Sequence, residues 1–86
     1  MKYLNIGKGT VIPEDTVIGI FDLDITSQSH LTRKYLTASE KRGEVINASE
    51  DIPKTFIVGC DGDARKVWLC QVAPATLVKR AESGTL

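Results

Sequence analysis

Histidine occurs once in this sequence, at position 30, and cysteine twice, at positions 60 and 70. That scarcity leaves little with which to build a catalytic or metal centre. A lone His30 at the start of a helical segment reads as a surface or capping residue, and spacing sets out no nucleophile–base pair. Acidic pairs do occur, Asp22 with Asp24 and Asp61 with Asp63, but neither carries the further ligands of a calcium loop. Helix capping explains the first pair and a hairpin turn the second. Gly7-Lys8-Gly9-Thr10 lacks the spacing of a phosphate-binding P-loop, and no helical pattern follows it. A turn between two strands is the better reading, with Lys8 able to offer one charge to a phosphate. No cofactor motif is present. These absences argue against an enzyme, a metal site and a cofactor.

Two cysteines allow at most one disulfide. Pairing about Asp61-Gly62-Asp63 puts Cys60 beside the turn and Cys70 far from it, which does not fit a bridge. The sequence also lacks a signal peptide and a long apolar run. The expectation is a soluble cytoplasmic protein, without membrane association, whose thiols are free and buried. Its 86 residues suit one domain, residues 1–86. A chain this short buries only about 60–65% of its unfolded surface. With neither a disulfide nor a metal, self-association is the remaining way to add buried area.

Charge of either sign is not in excess: 11 lysines and arginines face 11 acids. That argues against a strongly basic, monomeric nucleic-acid binder. The distribution is uneven, however. Residues 14–24 carry four acids and no base, whereas residues 33–42 carry Arg33, Lys34, Lys41 and Arg42 against Glu40 alone.

Residues 2–6 read as a first strand, broken at Gly7. Val11-Ile12 reads as a second, stopped at Pro13, which lacks a donor and suits an edge or turn. The run Thr16–Phe21, TVIGIF, is almost wholly apolar and suits a strand buried on both faces, with Gly19 marking a bulge or a close backbone approach. A helix is predicted from about Ser27 to Arg42. Leu31, Tyr35 and Ala38, broadened by Leu36, form its apolar stripe, and Arg33, Lys34, Thr37 and Lys41 form a basic solvent face. Lys41 and Arg42 complement the helix dipole, and Gly43 suits the position just past the end. Val45–Asn47 reads as a short strand.

Lys54–Val58, the turn at Cys60–Asp63 and Val67–Val72 read as a hairpin, with Gly62 supplying the positive φ. Pro74 then opens a helix to about Glu82, striped by Leu77, Val78 and Ala81. The predicted architecture is α+β: a small, mostly antiparallel sheet with one long central helix and a short C-terminal helix. Trp68, Phe56, Tyr35 and Phe21 all fall within periodic apolar segments, so core or subunit contact outweighs base stacking for them. The remaining polar set with one theme is basic: Arg33, Lys34 and Lys41, then Lys54, Arg65, Lys66, Lys79 and Arg80. On a neutral monomer these read as solvated surface. Repeated around a ring or filament, weak phosphate contacts would add through multivalency.

Over nearly its whole length the chain resembles the bacterial extracellular-matrix regulator family of RemA and RemB. The carriers are Asn5-Ile6-Gly7 with Gly9, the TVIGIF strand, Arg33-Lys34, Arg42-Gly43 with Val45-Ile46, and Pro74, Thr76 and Arg80. Ile52-Pro53-Lys54-Thr55 and Lys79-Arg80 look closer to RemB. The resemblance implies a LytTR-like subunit that assembles into ring-like homo-oligomers and regulates biofilm matrix genes by binding DNA. It also allows co-assembly with a RemA-like paralogue. Arginines of the RemA branch align with Thr16, Asp51 and Ile52 here, and losing guanidinium forks while gaining Asp51 weakens phosphate binding. Lys54 is the one charge carried over from that branch. The expected DNA-phosphate contacts are therefore Lys54, with Lys8 and Arg33 or Lys34 in support. The alternative expectation is a non-enzymatic assembly subunit without DNA binding of its own.

Overall fold

A computed structural model describes residues 2–7, 9–23, 30–49 and 51–83. The fold is α+β. The strands are β1 (Tyr3–Gly7), β2 (Thr10–Pro13), β3 (Val17–Asp22), β4 (Val45–Asn47), β5 (Thr55–Asp61) and β6 (Ala64–Cys70). A 3-10 turn spans Glu14–Thr16, helix α1 spans His30–Lys41 and helix α2 spans Pro74–Ser83. The expected start of α1 near Ser27 lies outside the described residues.

Strands β1 and β2 form a hairpin of their own, and the other four form a sheet ordered β3-β5-β6-β4. All pairs are antiparallel except β4 with β6. The β5–β6 hairpin runs from Thr55↔Cys70 to Asp61↔Ala64, so Gly62-Asp63 alone makes the turn. The strands are thus longer at the turn end than the sequence predicts. Gly62 takes φ 63°, as a two-residue primed turn demands.

Register divides the sheet into two faces. Thr55, Ile57 and Gly59 of β5 share one face with Trp68 and Cys70 of β6. The β1–β2 hairpin and α2 close over this face, and Leu4, Ile6, Ile12, Ile57, Trp68, Cys70 and Leu77 make the core. Arg80 ties the two covering elements together, its guanidinium donating to the Asn5 carbonyl at 2.8 Å. The Asn5 side chain in turn accepts from the Gly7 N–H at 2.8 Å, which holds the irregular end of β1. Thr55 is fully buried and donates its hydroxyl to the Val72 carbonyl at 2.6 Å. Gly59 lies under Trp68; a Cβ there would meet the indole at 2.6 Å and the Thr16 carbonyl oxygen at 2.9 Å.

Four expectations are corrected. Strand β3 is not buried on both faces: it is the outer strand of its sheet, and Ile18 is 69% exposed. The apolar run reflects one covered face and one open one. The stripe of α1 is only half used, because α1 supplies no residue to the core cluster and Leu31 is 75% exposed. In α2, Leu77 is buried with Ala81 packed beside it, but Val78 turns outward. Cys60 is also exposed rather than buried; strand pairing sets it opposite Arg65 and Cys70 opposite Thr55, and both thiols are free.

Candidate functional site

Helix α1 separates two surfaces of opposite character, and its C-terminal end is closed by a cap. At the C-terminus Gly43 takes φ 71°. The Gly43 N–H donates to the Glu40 carbonyl and the Glu44 N–H to the Ser39 carbonyl, both at 3.0 Å. This is a Schellman closure, which satisfies carbonyls that the helix itself cannot. Arg42 folds back across it, reaching Glu44 at 3.1 Å and Ser39 at 3.5 Å. The hydrogen bond to Glu44 raises the Arg42 pKa, against a smaller lowering by desolvation. Arg42 is therefore engaged in the cap.

The first surface is basic. His30, Arg33, Lys34, Thr37, Ala38 and Lys41 line a shallow groove of about 710 Å³. Their spacing of three and four residues puts them on one helix face. None of these lining side chains is acidic. Arg33, Lys34 and Lys41 are all exposed.

The second surface is apolar. Leu31, Thr32 and Tyr35 of α1 face Ile18, Phe21, Phe56 and Val58 across a groove of about 400 Å³. Its floor carries the stacked rings of Phe21 and Phe56, with centroids 4.9 Å apart and planes inclined by 19°. Strand pairing places Phe21 opposite Phe56, which brings the two rings together.

Of the residues expected to meet phosphate, the fold brings Arg33 and Lys34 together in the basic groove. Lys54 is exposed but stands apart from that groove, just before β5. Its backbone is clamped at both ends: the Lys54 N–H donates to the Cys70 carbonyl at 2.9 Å, and its carbonyl accepts from Leu23 N–H at 2.8 Å. Lys8 lies outside the described residues. Thr16, Asp51 and Ile52 bring no cation to the surface; Thr16 donates its hydroxyl to the Pro13 carbonyl at 2.7 Å, and Ile52 is 80% exposed. Arg80, counted among the surface cations, is engaged at Asn5.

Lys41 and His30 were not among the expected contacts, yet both line the groove. The signal was the spacing of His30, Lys34, Thr37 and Lys41, which is four, three and four residues. Among the described residues, no three His, Cys, Asp or Glu side chains are grouped to hold a metal ion. No helix among them is long and apolar enough to cross a membrane.

Compared with protein-family models, residues 3–81 match RemA-like, described as extracellular matrix regulatory protein A-like. The chain belongs to the RemA-like family. The match runs from the first strand almost to the end of α2, so it takes in the Asn5–Gly7 turn, the basic helix, the Gly43 cap and the Arg80 tie. The family's description gives the RemA-like chain a matrix-regulatory role. No curated protein matches the chain.

Proposed function

We propose that this RemA-like chain is a DNA-associated transcriptional regulator of the RemB type, acting in the cytoplasm as a ring-like homo-oligomer. The observation that carries the reading is the α1 groove, where Arg33, Lys34 and Lys41 converge with no acidic side chain in the lining. Such a face attracts a polyanion, and its contacts are to phosphates, which position a duplex without reading its sequence. A chain of zero net charge holds DNA weakly through one such face. Repetition around a ring supplies the affinity, because each further contact is intramolecular once the first has formed. Lys54 adds one cation at a second place on each subunit.

The test is an electrophoretic shift with promoter-length duplex at several salt concentrations. A shift that weakens steeply with salt supports the reading. No shift at low salt, with an oligomer verified in the same buffer, refutes it.

A second reading has its own support. Ile18 and Leu31 stand exposed on either side of the apolar groove, as on a subunit built to be covered. The chain is then an assembly subunit, alone or with a RemA-like paralogue, and makes no DNA contact. Recovery of nucleic acid alone, with no protein partner, in a pull-down counts against it.

A further inference from the structure

We infer that copies of this chain join head to tail, with Ile52 of one copy seated in the apolar groove between α1 and the β3–β5 strands of the next. The inference rests on the oligomeric reading above and names the two surfaces that serve it.

Among the described residues, the three most exposed large apolar side chains are Ile52 at 80%, Leu31 at 75% and Ile18 at 69%. Leu31 and Ile18 line the groove, whose floor is the Phe21–Phe56 stack, and Ile52 does not. Single apolar side chains on a surface are ordinary. These three, however, are covered together by one contact, in which two of them rim a socket and the third is the knob. The groove of about 400 Å³ falls in the range of clefts that enclose a ligand-sized group, and its lining sets no charged side chain against an apolar knob.

The knob stands on an anchored loop. On one side the Ala48 N–H donates to the Leu69 carbonyl at 2.8 Å, and on the other the Lys54 N–H donates to the Cys70 carbonyl at 2.9 Å, so both feet of the loop rest on the end of β6. The Ser49 hydroxyl donates to the Asp51 carbonyl at 2.9 Å, next to Ile52. Pro53 fixes its own φ and steers the Ile52 backbone away from helical conformations. A knob ordered before it docks loses little conformational freedom on docking.

Position makes the contact heterologous. Ile52 stands past the end of the sheet where Thr55 pairs with Cys70, whereas the groove lies farther along β5, over Phe56 and Val58 on the face opposite the core. A patch and its complement at different places on one subunit pair head to tail, and repeats of that contact close a ring when the rotation allows. Each subunit then fills one groove and offers one knob, so no other protein is required. Ile18, Leu31, Ile52 and the 40% exposed Phe21 together present a few hundred Å² of apolar surface, the size that marks an interaction site. In a closed ring every subunit is held at two such contacts, so a modest area at each suffices.

The experiment is sedimentation velocity on the full chain with one variant of each surface: Ile52→Glu removes the knob, and Ile18→Glu/Leu31→Glu spoils the groove. All three positions are exposed in the subunit, so circular dichroism should show an unchanged fold. Val11→Glu, at an exposed β2 position outside the groove, is the control. The expected result is an oligomeric wild type and control, with either variant alone monomeric at concentrations at least tenfold above the wild-type midpoint. Mixed in equal amounts, the two variants should form a dimer and nothing larger, because one copy keeps its groove and the other keeps Ile52. An oligomeric wild type whose mass neither variant lowers, or variants that stay monomeric when mixed, overturns the knob-and-groove contact but not the oligomeric reading. A wild type that stays monomeric at all concentrations overturns both.

Discussion

The α1 groove makes a quantitative prediction about salt. Replacing Arg33, Lys34 and Lys41 together by glutamine removes three exposed cations and leaves the helix formers in place. Each phosphate contact contributes about −0.9 to the slope of log K against log salt on duplex DNA. Three contacts per engaged subunit give about −2.7, and two give about −1.8. Between 50 and 200 mM salt the wild type should then lose about 12-fold to 40-fold more affinity than the variant, per engaged subunit. In a ring that presents several subunits to one duplex, the difference multiplies. Fluorescence anisotropy with a labelled duplex at four or five salt concentrations measures the slopes directly. Lys54→Gln should flatten the slope by about 0.9 per engaged subunit, independently of α1. Binding with an unchanged slope in the triple variant would refute the assignment of the α1 face. A change on Lys54→Gln alone would move the interface to the entry of β5.

The remaining predictions concern the scaffold. Gly59→Ala sets a Cβ against the Trp68 ring and the Thr16 carbonyl, which is backbone and cannot swing away; it should cost about 2 kcal/mol or more and lower Tm on the order of 10 °C, followed by Trp68 fluorescence. Arg80→Met keeps the apolar stem but loses the charge-assisted bond to Asn5; about 1 kcal/mol is expected for this partly exposed contact, read as a shift in the urea midpoint. The Cys70 thiol is pushed above its ordinary value by burial, against smaller lowerings from a backbone hydrogen bond with Val72 and from the charge of Arg80. The unfolded chain therefore releases that proton first, so this contribution to stability is intact below a pH of about 8.5 and is lost as pH rises through the folded value. Urea midpoints from pH 7 to 10 should fall less for Cys70→Val than for the wild type above that pH.

Local sequence determined the pieces. Gly62 and Gly43 mark the β5–β6 turn and the end of α1 because positive φ excludes most side chains there. Pro74 opens α2 because a first-turn residue has no use for an N–H. The basic face of α1 was also legible, since helical periodicity alone gathers Arg33, Lys34 and Lys41. Tertiary structure decided what these pieces meet. TVIGIF reads as fully buried because composition reports how apolar a strand is and not how many neighbours it has; sheet order placed it at an edge. The parallel pairing of β4 with β6 depends on a crossover that no local pattern encodes. The same holds for Arg80, whose tie to Asn5 spans 75 residues of chain, and for Lys54, whose separation from the α1 groove is set by the path between them. A sequence fixes torsions and periodicity residue by residue. Which exposed charges share a surface, and which apolar strand stands at the end of the sheet order, follow only from the packing of distant segments.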